Sequence, residues 1–431
     1  MTPPSKNLHP SPSASSACPA ESNQAANVFG RGAGNTANAN EKQQCEEHHE
    51  GNGNARRRKK LVLPLCLDMH THLRQGELMR LVTPMIKRGG CGLALVMPNT
   101  TPPIVTCAQA KAYWEQLNQV DSSVDYMMTL YLCEEVTAED LRQNARACRV
   151  TGVKCYPKGV TTNSERGVES FDAYYGLFKA MQELGLVLHL HGEVPGASSL
   201  EAERLFVPVF EQLHARFPRL QIVLEHVSTA EAIRAVQSKP PDVVAATITP
   251  HHLMLTVDDV LRPDFISSEK CGHSEAVAQP HNFCKPLAKT REDREALREA
   301  VRQGDPHFFL GSDSAPHLQK KKESVPPAAG VFTQPLLLAY LAKILEELDC
   351  LHQLRSFAVD NATSFFRLER KNLIDDLDCV VLDPTPEQVP PLYALNDTSE
   401  GVVPFMVGRT LPYSVRILPY KHSDLTDCVK L

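Results

Sequence analysis

The stretch Leu67–Gly76, LDMHTHLRQG, closes the apolar run Leu61–Leu67 with His70 and His72 one residue apart. In a strand, residues i and i+2 face the same side. Both imidazoles would therefore point at one position, as two nitrogen ligands of a metal do. Two polar residues on an ordinary alternating strand would give the same pattern, so the choice rests on the rest of the chain.

Seven further short β-rich runs follow: Leu93–Met97, Tyr126–Leu132, Gly152–Tyr156, Leu186–His191, Gln221–His226, Val243–Ile248 and His307–Gly311. Segments with helical spacing separate them, among them ELMRLVTPMIKRG, AQAKAYWEQLNQ, FDAYYGLFKAMQELG and EAERLFVPVFEQLHARF. Near-continuous apolar strands alternating with helices predict a parallel sheet. Eight such units over about 250 residues predict an α/β fold, a (β/α)8 TIM-type barrel. A doubly wound sheet is the competing fold, but no GxGxxG follows the first strand.

Barrel enzymes carry their chemistry at the C-terminal ends of the strands, so the polar residues closing each run should form one coherent set. They are His70 and His72 on the first strand, Asn99 after the second and Lys154 on the fourth. His189 and His191 end the fifth, His226 ends the sixth, and Asp313 and His317 follow the eighth. A lone histidine closing a strand is ordinarily a hydrogen-bonding core residue. Several imidazoles on one rim are hard to explain as packing, because buried polar groups need partners. In LHLH the outer residue, His191, is the expected ligand and His189 a supporting or structural residue. His251 and His252 read as loop or supporting residues; Cys271 and His273, in an apparent insertion, carry no assignment. Lys154 is the anomaly: an ammonium repels a cation, and a salt-bridging lysine is the plain reading. Capped by carbon dioxide as a carbamate, it would instead present a carboxylate able to bridge two metals.

The bulk properties fit this picture. Hydrophobic residues make up 42% and charged residues 22% of 431, as in soluble globular proteins. A formal charge of −6 gives no nucleic-acid signal, and no apolar stretch is long enough for a membrane helix. Thirteen cysteines without CxxC pairs read as reduced thiols of a cytoplasmic protein. Residues 1–60, rich in Ser, Asn, Ala, Gly and Pro, predict a disordered tail, with RRRKK at Arg56–Lys60 as a solvated edge before residues 61–431.

From about Leu61 to Arg416 the chain resembles the monofunctional dihydroorotases of the amidohydrolase superfamily, of the fungal kind. The matching words are DMHTHLRQGE, VMPNTTPP, GVKCYPKGVTTNSERGV, LHLHGE, LEHVST, ATITPHHL, HNFCKP, FLGSDSAPH and VPFMVGRTLPYSVR. HxH alone is weak; the ordered set is specific. The resemblance implies two Zn2+ ions. His70, His72, Lys154 as N6-carboxylysine, and Asp313 would hold one, and the same lysine with His191 and His226 the other. It implies Arg74, Asn99 and His317 as grips on the substrate carboxylate. Lys285 and Ala329 would make backbone contacts to the ring, and Thr161 and Thr162 would lie on a closing loop. The implied reaction is the reversible cyclisation of N-carbamoyl-L-aspartate to L-dihydroorotate and water in pyrimidine synthesis, with Asp313 as proton carrier. The implied partner is this small molecule, with neither nucleic acid nor membrane, and the implied assembly a homodimer. Lys285 stands where some bacterial relatives have leucine, which a backbone contact tolerates, and the Cys271 region differs in length. A hydantoinase-like amidohydrolase sharing the metal ligands, and a metal-free barrel serving as an interaction module, are the alternatives.

Overall fold

Eight parallel strands pair in strict chain order in the computed structural model, which describes residues 58–261, 277–368, 378–396, 398–420, 425 and 428–431. They are β2 (Cys66–Thr71), β3 (Cys91–Val96), β4 (Asp125–Tyr131), β5 (Val150–Cys155), β6 (Val187–His191), β7 (Ile222–Glu225), β8 (Val244–Ile248) and β9 (Phe308–Leu310). Beyond the end of β9, the Asp313 N–H donates to the His70 carbonyl at 2.9 Å and the His72 N–H to the Ser314 carbonyl at 3.0 Å. These bonds, with the Thr71–Ser314 bridge, join the last strand to the first and leave a nearly closed barrel. The predicted fold class is thus the observed one.

The first predicted strand needs correction. Leu61–Leu67 is not one strand but two. Pro64 has no amide hydrogen to extend a ladder, and the chain steps through Leu65 into a different sheet. Strand β1 (Leu61–Pro64) pairs antiparallel with β10 (Cys379–Asp383), Leu61 opposite Leu382. Strands Ser414–Leu418 and Val429–Lys430 complete a four-stranded sheet outside the barrel. The basic run before it is anchored at two points: Arg58 pairs with Glu346 at 2.8 Å and Lys60 with Asp383 at 3.1 Å. The predicted tail otherwise falls on residues 1–57, outside the described residues, as do Cys271 and His273.

The connecting helices start where the sequence supplies caps. Thr106 accepts from the Gln109 N–H while the Gln109 side chain answers the Thr106 N–H, opening helix Cys107–Val120. Thr290 and Asp293 do the same for Arg291–Arg302. The predicted helix around ELMRLVTPMIKRG is split into Gly76–Val82 and Met85–Arg88 at Pro84. Every described cysteine is a free thiol.

Two glycines decide how much side chain the barrel interior can hold. A Cβ on Gly152 would lie 2.4 Å from the Val187 carbonyl oxygen and 2.7 Å from the His189 ring. One on Gly311 would lie 2.7 Å from the Thr247 Cβ and 2.9 Å from the His70 Cβ. A side chain at Gly152 would take the space of the His189 ring, and one at Gly311 the space of Thr247 and the His70 Cβ.

Candidate metal centre and substrate cavity

The upper layer of the barrel is polar although it is dry. Asp68, His70, Lys154, His189, His191, Glu225 and His226 are all at most 2% exposed. Isolated polar groups cannot be kept there cheaply, so their partners define the site.

Ligand atoms of His70, His72 and Asp313 lie within 4.8 Å of one another, a spacing fit for a metal ion. His72 Nε2 is 3.0 Å and His70 Nε2 3.4 Å from Asp313 Oδ1. The His226 ring lies 5.0 Å from that of His70 and 4.8 Å from that of His191, centroid to centroid. Lys154 is fully buried, with its ammonium nitrogen 4.9 Å from the Tyr156 ring centre and no hydrogen-bond partner. Burial pulls its pKa down to about 8, against the pull of Glu225 and Asp313. His70 Nε2 and His226 Nδ1 are likewise buried and without a hydrogen bond. Unpartnered nitrogens on several strands, gathered around a carboxylate, are what a cation would satisfy. The donor set fits a metal centre, and the lowered pKa of Lys154 enlarges the share of neutral amine that carbamate formation needs.

A layer of acids beneath fixes which ring nitrogens remain free. Glu225 Oε2 lies 2.7 Å from His70 Nδ1 and Oε1 lies 2.6 Å from His189 Nδ1. The Thr247 hydroxyl donates to the same carboxylate at 2.6 Å. A nitrogen facing a carboxylate carries the proton, which leaves Nε2 of His70 as a lone pair. By the same logic Glu193, 2.8 Å from His191 Nε2, leaves His191 Nδ1 as the free atom. Burial alone would raise the Glu225 pKa, yet His70 and His189 hold it well below the ordinary range. Asp313 is held low in the same way by the His72 hydrogen bond and its His70 neighbour, against burial. His226 and Asp313 have φ of 42° and 41°, the left-handed region that side chains normally avoid. Such conformations cost free energy and persist where the surroundings enforce them.

The cluster opens into a small cavity whose wall includes Arg74, Asn99, Tyr156, Thr161, Thr162, Lys285 and Ala329. Arg74 is held by its Nε bond to the Pro316 carbonyl at 2.9 Å, and its guanidinium lies 3.1 Å from His317 Nε2. His317 also contacts the Ala329 carbonyl at 3.0 Å. The Arg74 guanidinium is buried enough for its pKa to fall to about 10, still cationic at neutral pH. The Asn99 side-chain carbonyl meets His72 Nδ1 at 2.8 Å, and its amide donates to the Thr162 carbonyl at 3.2 Å. The cavity thus brings the fixed Arg74 guanidinium together with neutral hydrogen-bonding groups, suited to a small carboxylate.

All the sequence-predicted site residues except His317 and Lys154 line this cavity; His317 borders an adjoining one with Arg74 and Asn99. Lys154 is buried against the ring of the wall residue Tyr156. His189 is turned to Glu225 and the Phe366 ring, away from the rim. The sequence reading missed Glu225, Glu193 and Tyr156. An acid inside the apolar strand VLEH, and another two residues after His191, were the available signals.

No family model matches the chain. A dihydroorotase of Saccharomyces cerevisiae is 38% identical over 375 residues, 83% of this chain and 98% of that protein. The crystal structure of the S. cerevisiae dihydroorotase in complex with 5-fluoroorotic acid superposes with a TM-score of 0.77. It is 37% identical, covering 84% of this chain and 99% of that one. An L-hydantoinase from Arthrobacter aurescens superposes with a TM-score of 0.67 over 83% of this chain and 84% of its own. At 17% identity it shares the fold alone.

Proposed function

The chain belongs to the dihydroorotase family, and on that premise we propose that His70, His72, Lys154, His191, His226 and Asp313 hold two zinc ions, with Lys154 carbamylated and shared between them. The activity is that of a dihydroorotase, a cyclic-amide hydrolase of pyrimidine synthesis interconverting N-carbamoyl-L-aspartate and L-dihydroorotate. The observation that carries the metal reading is an orphaned, fully buried lysine amine beside the His70–His72–Asp313 cluster. Lys154 reacts as the neutral amine: its nitrogen adds to carbon dioxide, and the proton leaves for solvent.

When bound, the ions supply a water that ionises near neutral pH and a Lewis acid for the ring carbonyl. Asp313 takes the proton of the attacking water and returns it to the departing amide nitrogen. Cyclisation reverses the transfer, so Asp313 then starts protonated and lower pH favours that direction. Arg74 binds the substrate carboxylate through its two-pronged guanidinium, a geometry that lysine cannot copy. His317 and Asn99 complete the grip, and the backbone at Lys285 and Ala329 reads the ring edge. Thr162, whose carbonyl accepts from the Asn99 amide, and its neighbour Thr161 exclude water as their loop closes.

Around this centre we read residues 61–431 as the catalytic domain and 1–60 as a tail, in a cytoplasmic homodimer whose partner is the small-molecule substrate. Among the described residues no helix is long and apolar enough to cross a membrane. Arg74 with His317 favours an acidic ring over the neutral ring of hydantoin. The test is metal content per chain with dihydroorotate and hydantoin turnover in one preparation. Two zincs and dihydroorotate selectivity are expected; hydantoin preference or a metal-free active enzyme would overturn the reading.

A further inference from the structure

Among the described residues, the spacing that gathers His70, His72 and Asp313 gathers one other set: His251, His252 and Cys284, all buried, with ligand atoms within 4.8 Å of one another. None of the three lines the cavity wall. The His251 and His252 rings are 4.6 Å apart, and Cys284 Sγ is 3.8 Å from His252 Nε2. His251 is 0% exposed, yet neither of its ring nitrogens has a hydrogen-bond partner. A buried imidazole with two unmet nitrogens is costly, and its nearest ring contacts, His252 and Phe405, do not relieve it.

We propose that His251, His252 and Cys284 form a second, separate metal site that takes a thiophilic divalent cation such as Zn2+ or Cd2+. Imidazole and thiolate are the donors these ions prefer. Without metal, the thiol and His252 Nε2 both rest against the Pro286 carbonyl, at 3.1 and 3.0 Å. Thr249 holds the other His252 nitrogen at 3.0 Å. Binding replaces the S–H bond with a sulfur–metal bond and releases that proton to solvent. It also requires His252 to give up its Pro286 contact and present a lone pair, so the site should bind more weakly than the catalytic one. Burial pushes the Cys284 thiol up to about 12, which likewise weakens capture at neutral pH. Lys285, between Cys284 and Pro286, lines the catalytic cavity, so an ion here bears on the cavity wall. The site does not depend on the catalytic reading above.

The test is titration of the zinc-loaded enzyme with Cd2+ alone, following the ultraviolet sulfur-to-cadmium charge-transfer band and bound cadmium. Wild type should take up one more equivalent than Cys284→Ser and show a band that the variant lacks. Cadmium exchanging into the catalytic site, or binding other thiols, appears equally in both and cancels. His251→Asn keeps the thiol and should bind this equivalent at least about tenfold more weakly; it serves also where Cys284→Ser fails to fold. Equal band and stoichiometry in wild type and Cys284→Ser, or an unchanged affinity in His251→Asn, would overturn the proposal.

Discussion

Glu225 joins His70 to His189 through its two oxygens, at 2.7 and 2.6 Å, so one buried acid sets the orientation of two imidazoles from strands on opposite sides of the barrel, β2 and β6. The His70 nitrogen left free is the one that faces Asp313. Removing the acid should therefore act on the metal centre without touching it. In Glu225→Gln the amide presents a donor to one ring that already donates, and that ring must flip or lose its bond. The expected result is about 10- to 100-fold weaker metal retention, read as zinc content after graded chelator dialysis. Unchanged retention would detach Glu225 from the centre.

Lys154 should show opposite signs for stability and function. Burying an amine without a partner costs free energy, and its lowered pKa, about 8, is the mark of that cost. Lys154→Met fills similar volume without the polar atom. In metal-free protein it should raise the melting temperature, while fully zinc-supplemented enzyme should hold fewer than two ions and lose turnover. Lys154→Ala should leave room for a short carboxylic acid, whose addition restores activity if the carbamate reading is right. No rescue, together with two metals still bound in Lys154→Met, would sink it.

Asp313→Asn preserves shape and one coordinating oxygen but removes the proton acceptor. Turnover should fall by about 10^2- to 10^4-fold, the range typical of a lost general base, with metal content falling far less. Near-wild-type turnover in a metal-loaded variant would assign the proton transfer elsewhere.

Arg74 makes its case through geometry. Its backbone sits at φ 60°, and its carbonyl accepts from the Tyr113 hydroxyl, so the side chain leaves from a fixed platform. Arg74→Lys keeps the charge and loses the fork. KM for dihydroorotate should rise about tenfold, ~1.4 kcal/mol, with kcat little changed. An equal fall in kcat and kcat/KM would instead mean that Arg74 acts in the transition state.

The sequence made the barrel legible because most of its strands end in a chemically loud residue, and a parallel barrel puts all those ends on one rim. His70, His72, His191, His226 and Asp313 could be gathered from strand order alone. Glu225 could not, since its meaning depends on which rings it meets across β2, β6 and β7, and an acid inside a strand has no local signature for that. The failure at Leu61–Leu67 has the same origin. Pro64 gave the break, but only long-range pairing with β10 shows that the first half belongs to another sheet. His251 and His252 read as loop residues because Cys284, which makes them a cluster, lies 32 positions from His252.

Away from the metals, the His307–Asp305 pair predicts a pH dependence of stability. His307 Nδ1 meets Asp305 Oδ1 at 2.6 Å and Nε2 meets the Lys239 carbonyl at 2.8 Å, so both acceptors favour the doubly protonated ring. Burial lowers the His307 pKa, but the Asp305 hydrogen bond and the Lys239 carbonyl outweigh it and the net shift is upward. With its folded pKa raised, the native state keeps the proton longer than the unfolded chain does. Its contribution is fully present below the unfolded value, about 6.5, and is lost as pH rises through the folded value. Asp305 is shifted down, mainly by the His307 bond against burial, so its share is lost only when pH falls through its own folded pKa. Denaturant unfolding of wild type should therefore weaken from pH 6 to pH 8 by more than unfolding of His307→Gln does. Parallel pH profiles for the two proteins would show that the His307 pKa does not differ between the native and unfolded states.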